Sequence, residues 1–289
     1  MQFRLYGDVH AFFHDTFDVL MRDESQNMIL LGNLIMGREG KDKTDWRDPA
    51  KWWMATVSDA GGIRLTALMT PPHNLVLYAT DNLMMPDAME CLIDGLQDIG
   101  IPGVLAEKNL AKQFADRYAA RKGIAWQVVM DQRIHELSSV NPDIPAIGTV
   151  RLLDDKDMHF FPYWVEAFYA AGTYGNTEMS VPRDAEHYRY RIASKKIYVL
   201  EDGGIPVSMA GFTRELPTAI GVAFVYTPPY FRGKGYATSL VAQLSRMALD
   251  RGYRRCVLYT DLANPTSNSI YRKIGYVPVC DSLQIQFGS

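Results

Sequence analysis

Residues 219–276 read AIGVAFVYTPPYFRGKGYATSLVAQLSRMALDRGYRRCVLYTDLANPTSNSIYRKIGY. An apolar run, Ile220 to Tyr226, ends at Pro228-Pro229. Proline cannot donate to a sheet ladder, so a strand stops there. Arg232-Gly233-Lys234-Gly235-Tyr236-Ala237 then opens a long helical stretch. Glycines at these positions admit turn geometries closed to other residues and leave backbone N–H groups bare. At a helix start such donors face outward with the helix dipole behind them, which makes an anion site. A pyrophosphate suits the N–H groups of Gly233, Lys234, Gly235, Tyr236 and Ala237, with charge from Arg232 and Lys234 and a hydroxyl from Thr238. A second apolar run, Cys256 to Tyr259, leads to Asn264-Pro265 and a short helix bearing Tyr271. Strand, glycine turn, helix, strand, helix is the layout of a site for a phosphate-bearing cofactor.

Two common phosphate motifs do not fit. A Walker A loop needs GxxxxGK[ST], whereas Gly233-Lys234 is followed by Gly235. The run GKGYAT is not the GxGxxG of a dinucleotide-binding turn. The spacing does match the Arg/Gln-x-x-Gly-x-Gly/Ala motif of the GNAT superfamily of acyl-CoA-dependent N-acyltransferases, through Arg232, Gly235 and Ala237. The resemblance covers about residues 149–287 and includes the segment DLANPTSNSIYRKIGYVPV. It implies an α/β (α+β) fold: a mixed, largely antiparallel sheet flanked by helices. Its fourth and fifth strands, here Ala219–Thr227 and Arg255–Thr260, would splay apart and admit the pantetheine arm of acetyl-CoA. Backbone groups of Val225, Tyr226 and Thr227 would bind that arm. Asn264 and Asn268 would contact it near the end of the fifth strand. Asn264 is equally well read as the N-cap of a helix beginning at Pro265. Tyr271 matches the family's general acid, poised to protonate the leaving thiolate. The family often places a carboxylate on the fourth strand as base. AIGVAFVYT has none, and Glu215 is the nearest candidate.

Upstream, residues 8–22 have helical apolar spacing, with Asp8 as N-cap, and Glu24 to Met36 continues as a second helix. Strands are expected over Trp52–Val57, Ile63–Met69 and Leu75–Ala79. A helix over Met84–Ile99, a strand over Gly103–Ala106, a helix over Lys108–Lys122 and a strand over Trp126–Met130 follow. Residues 136–148, with two prolines and no periodicity, read as a linker. Beyond it come a strand at Thr149–Leu153 and a helix at Lys156–Ala171. Phe160, Phe161, Trp164 and Phe168 share a face of that helix, the ordinary pattern of core packing. A loop at 172–183, a helix at Asp184–Ala193 and three strands from Lys195 to Thr227 complete the approach to the glycine turn. Both halves therefore run helix, helix, three strands, helix, strand, helix, strand. We read two acyl-CoA N-acyltransferase folds in tandem: 1–135, a linker at 136–148, and 149–289. The first lacks the phosphate turn, with DNLMM and no glycine between Thr80 and Pro86.

The chain has 289 residues, 47% of them apolar, enough for two ordinary cores. Net charge is -3, which does not favour a nucleic-acid partner. Residues 1–145 carry 14 Lys and Arg against 20 Asp and Glu, and residues 146–289 carry 16 against 13, so the half with the glycine turn suits an anion. Three scattered cysteines form no metal or disulfide framework, and no metal is expected. No apolar segment reaches membrane-spanning length, and the N-terminus has no signal-peptide pattern, so a cytoplasmic protein without a membrane partner is expected. The expected activity is an N-acetyltransferase that moves an acetyl group from acetyl-CoA to an amine, as a monomer or homodimer. A non-catalytic acyl-CoA sensor and an aminoacyl-tRNA-dependent transferase are the competing readings.

Overall fold

The computed structural model describes residues 1–40, 47–81, 85–171 and 185–288. Trp46, the loop at 172–183, Asp184 and most of the DNLMM run lie outside the described residues.

The first series of elements is β1 (Gln2–Tyr6), α1 (Val9–Met21), α2 (Met28–Glu39), β2 (Trp53–Asp59), β3 (Gly62–Met69), β4 (Leu75–Ala79), α3 (Pro86–Gly95), β5 (Gly103–Glu107), α4 (Lys108–Lys122) and β6 (Ala125–Leu137). The second is β7 (Thr149–Leu152), α5 (Phe161–Ala171), α6 (Ala185–Ala193), β8 (Ile197–Asp202), β9 (Ile205–Glu215), β10 (Ala219–Tyr226), α7 (Tyr236–Asp250), β11 (Arg255–Asp261), α8 (Pro265–Ile274) and β12 (Val277–Gly288). The two series run in the same order. A strand precedes the helix pair in each; β7 was expected and β1 was not. Both series also contain an antiparallel three-stranded meander followed by a parallel pairing, β4 with β5 and β10 with β11.

Local chemistry explains most boundaries. The Asp8 carboxylate accepts the N–H groups of His10 and Ala11 at 3.2 and 3.1 Å and starts α1. Gly203 and Gly204 have φ of 59° and 79°, which a two-residue hairpin turn between β8 and β9 requires. The expected helix at 156–171 divides into a 3₁₀ turn, Asp155–His159, and α5. Asp154 and Asp157 close that turn with reciprocal backbone bonds. Asp157 is 1% exposed and receives two guanidinium bonds from Arg151 at 2.7 and 2.8 Å.

The chain forms two compact units, Met1–Ile134 with Val279–Ser289, and His135–Pro278. Within the first, the end of β12 pairs antiparallel with β5, Ser282 opposite Glu107 through Gln286 opposite Gly103. Leu283 and Ile285 of β12 are buried in the first unit's core beside Val104 and Phe114. The last strand, assigned by sequence to the second fold, is thus part of the first unit's sheet. The second unit has two cores. Leu240, Leu244 and Ala248 of α7 and Tyr271 and Ile274 of α8 cover Ile220, Val222, Cys256 and Leu258. Phe161 and Val165 of α5 and Tyr188 of α6 cover Val199, Met209 and Tyr226.

The 136–148 segment is held rather than loose. Glu136 and Leu137 finish β6. Asn141 N–H donates to the Ile274 carbonyl at 2.8 Å, Ile147 N–H to Ser239 Oγ at 2.7 Å, and Arg246 to the Asn141 and Ile144 carbonyls at 3.2 and 3.1 Å. It is a strap across α7 and α8. Among the described residues no helix is long and apolar enough to cross a membrane.

Candidate active site

The site begins where β10 and β11 part. Their parallel pairing covers only Ala219 with Arg255, Ile220 with Cys256 and Gly221 with Val257. Beyond that point β10 continues to Tyr226 and β11 to Asp261 without pairing to each other. The expected splay is therefore present, and one edge of β10 beyond Gly221 faces a gap. Backbone donors and acceptors on such an edge need partners, which an extended ligand arm supplies.

β10 also carries a bulge. Ala223 is opposite Gly211 of β9 and Tyr226 opposite Met209, so one extra residue is inserted on β10. Phe224 takes it up at φ 57°, a left-handed conformation that is uncommon for a non-glycine residue. The bulge reverses side-chain parity. Val222 lies in the core under α7, and by strict alternation Phe224 and Tyr226 would join it. Instead Tyr226 lies in the core under α5, and the Phe224 ring sits 5.7 Å from that of Phe168. No glycine or proline marks Phe224, so nothing in the sequence pointed to this bulge.

The glycine turn follows. Gly233 and Gly235 have φ of 77° and 83°. A Cβ at Gly235 would meet only the Ile147 side chain, at 3.5 Å, so the left-handed backbone and not crowding requires glycine there. Gly235 is the N-cap of α7 and provides no side-chain cap, which leaves the first-turn N–H groups of Tyr236, Ala237 and Thr238 without a side-chain acceptor. The helix dipole adds positive potential at the same place. Arg232 Nε donates to the Thr227 carbonyl at 2.9 Å, which holds its charge at the end of β10. The Lys234 ammonium lies over the rings of Tyr230 and Phe231, 5.1 and 5.9 Å from their centroids. Tyr236 points inward and its hydroxyl donates to the Asp202 carboxylate, fixing the start of α7 to the β8–β9 hairpin. Thr227 Oγ1 is within 2.9 Å of Ser208 Oγ, and Ser208 Oγ donates to the Tyr226 carbonyl at 3.1 Å. Val225 is half-buried against the α7 core.

Both asparagines have definite local partners. Asn264 Oδ1 accepts the Ser267 N–H at 3.1 Å and caps α8. Asn268 Nδ2 donates to the Asp261 and Asn264 carbonyls at 3.0 and 2.8 Å, and its Oδ1 accepts from Thr260 Oγ1 at 2.7 Å. Their side chains fasten α8 to the end of β11.

Tyr271 is 8% exposed and lies in the core cluster that holds Val222 and Leu258, the first residues beyond the fork on each strand. Its ring meets Tyr276 edge-on at 5.9 Å. Tyr276 bonds Ser245 at 2.9 Å, whereas among the described residues no polar group bonds the Tyr271 hydroxyl. Burial pushes the Tyr271 phenol well above its usual range, so it is neutral at any physiological pH.

Glu215 is elsewhere. It pairs with Ile220 in the register of β9 and β10, where β10 and β11 are still joined. Six residues of strand separate Ile220 from Tyr226, about 20 Å of rise. Glu215 also bonds Lys196 at 2.8 Å. That carboxylate is tied to Lys196 at the paired end of β10 and not along its open edge. Among the described residues no cluster of three or more His, Cys, Asp or Glu could hold a metal ion.

Known proteins share this fold. Residues 151–276 match the model of the acetyltransferase (GNAT) family. A GNAT-family acetyltransferase from Colwellia psychrerythraea superposes with a TM-score of 0.52 at 11% identity, covering 99% of each chain. A Drosophila protein does so at 0.67 and 13%, covering 99% of this chain and 98% of its own. A GCN5-related N-acetyltransferase from Sphaerobacter thermophilus does so at 0.58 and 15%, covering 99% and 95%. At such identities the likeness speaks for the fold. No curated protein matches the chain in sequence. The chain has the GNAT fold, and its residues 151–276 match the GNAT family of acetyltransferases.

Proposed function

We propose that the second unit is an N-acetyltransferase that moves an acetyl group from acetyl-CoA directly to an acceptor amine. The observation that carries this reading is the position of the Tyr271 hydroxyl beside a strand fork, with no hydrogen-bond partner among the described residues. The site also fits the rest of acetyl-CoA. The uncapped start of α7, with Arg232 and Lys234, suits the pyrophosphate, and the open edge of β10 around Val225, Tyr226 and Thr227 suits the pantetheine amides. Asn264 and Asn268 shape the end of that groove through the helix they anchor.

Acetyl-CoA supplies an acyl group activated as a thioester. The residues do the rest. The β10 edge orients the arm so that the acyl carbon is open to the amine lone pair. As the C–N bond forms and the C–S bond breaks, the Tyr271 hydroxyl donates to the sulfur. A free thiol titrates near ~8.5, below this phenol. The burial that raises the phenol also disfavours a bare thiolate, which narrows the mismatch. With Glu215 paired to Lys196, the amine arrives neutral and loses one proton to water as the amide forms, and water returns a proton to the Tyr271 phenolate. The first unit, whose sequence lacks the glycine turn, binds no acetyl-CoA, so each chain takes one.

The test is CoA release from acetyl-CoA in the presence of varied primary amines, with calorimetry for stoichiometry. Tight binding of one acetyl-CoA and amine-dependent release support the assignment. Tight binding without release from any amine would make the protein a sensor of acyl-CoA.

A further inference from the structure

The acceptor's chemistry is readable from the face of β10 that the bulge exposes to α5. Phe160 and Trp164 have ring centroids 4.5 Å apart. Trp164 lies 6.0 Å from Tyr226, and Phe224 lies 5.7 Å from Phe168 and 6.4 Å from Tyr169. Phe161, on the same helix, is fully buried and is ordinary core. Phe160, Trp164, Phe168, Tyr169 and Phe224 are only half-buried, so they form a wall and not an interior. The wall includes the strained residue of β10, at the fork where the acyl group is expected. Strain at such a place persists only if the fold over-determines it, and here its effect is to turn two aromatic rings onto this face.

The charges on the wall point the same way. The Arg191 guanidinium lies over the Phe224 ring, 4.8 Å from its centroid, and donates from Nε to His187 Nε2 at 2.7 Å. Glu166, the acid of α5, and Glu186, the acid of α6, are both exposed, and β10 has no acid at all. A polyamine or an aminosugar with several ammonium groups would bring like charge toward Arg191 and, among the described residues of the wall, find no carboxylate. A flat apolar body would gain contact with several rings.

We infer that the acceptor is a primary amine with an aromatic body, and that Trp164, Phe168 and Phe224 determine this specificity. The inference rests on the proposed acetyl transfer and names its substrate class.

The experiment measures kcat/KM by CoA release with 2-phenylethylamine, n-butylamine and spermidine as acceptors, in the full chain. The expected result is at least roughly tenfold preference for 2-phenylethylamine over each of the others. Trp164→Ala should reduce that acceptor's value about tenfold and leave n-butylamine within about threefold, with acetyl-CoA affinity unchanged by calorimetry. Trp164→Phe should restore most of the loss. Equal or better turnover of n-butylamine or spermidine overturns the inference while leaving acetyl transfer standing. So does an equal loss for all amines in Trp164→Ala. If Trp164→Ala does not fold, the ratio among the three amines in the native protein decides. Absence of release with any amine, despite acetyl-CoA binding, removes the transfer reading and this inference with it.

Discussion

Replacing Tyr271 by phenylalanine should separate stability from catalysis. The hydroxyl has no protein partner among the described residues, so its removal leaves nothing unsatisfied. Tyr271→Phe should therefore leave stability unchanged or slightly raised, within about 0.5 kcal/mol. The neighbouring Tyr276 is the control. Its hydroxyl bonds Ser245 at 2.9 Å in a dry core, so Tyr276→Phe leaves Ser245 unpaired and should cost about 1–2 kcal/mol. Activity should move the opposite way. A hydrogen bond to the developing thiolate is worth ~10²–10⁴ in rate for a positioned acid, and a thiolate is a good leaving group, so the lower end applies. Tyr271→Phe should lower kcat about 100-fold with acetyl-CoA affinity unchanged. CoA release, calorimetry and thermal melts read the three quantities. A kcat within threefold of native, or a Tm lowered by several degrees, would refute the role assigned to the hydroxyl.

Asn264→Ala should cost about 1 kcal/mol of stability through the lost α8 cap while leaving acetyl-CoA affinity within twofold; a large affinity loss would restore Asn264 as a ligand contact. Gly235→Ala meets no backbone, so its cost is the left-handed conformation alone, ~1–2 kcal/mol, and it should weaken acetyl-CoA binding at least tenfold by displacing the N–H donors. Asp157→Asn breaks a buried pair with Arg151 and should cost about 3 kcal/mol in a urea melt. Burial alone would raise the Asp157 carboxyl, but the Arg151 bonds and the Asp154 N–H outweigh it and hold it below the usual range. A depressed carboxyl stabilises fully above the unfolded value near ~3.9, and the contribution disappears as pH falls through the lower folded value. Acid unfolding below about pH 4 should therefore be less steep in the variant. With no carboxylate base at the fork and a phenol that stays neutral, kcat/KM should rise with the free-base fraction of the amine and show no descending limb below about pH 10.

Local chemistry carried the legible part of the fold. The turn at Gly233 and Gly235, the hairpin at Gly203-Gly204 and the Asp8 cap each rest on residues adjacent in sequence. The element order, and with it the repeat, could be read from periodicity. Two features depended on distant partners. β12 looks like the last strand of the second fold, yet Leu283 and Ile285 are buried in the first unit's core. That choice depends on pairing with β5, more than 170 residues earlier, and no nearby residue signals it. The bulge at Phe224 depends on register with β9. Site residues divide in the same way. The glycine turn declared itself by spacing. Glu215 was suggested by nearness in sequence to β10, and it lies opposite Ile220 with its carboxylate on Lys196. Asn264 was ambiguous because a cap and a ligand contact need the same side chain; the 3.1 Å bond to Ser267 shows it in use as a cap.

The most direct test of the central claim is a crystal structure of the full chain with acetyl-CoA. The account predicts one molecule per chain. Its pyrophosphate should lie on the N–H groups of Gly235 to Thr238, its pantetheine along Val225 to Thr227, and its sulfur within hydrogen-bond reach of the Tyr271 hydroxyl. Acetyl-CoA bound instead within the first unit, or no density along residues 225–238, would contradict it.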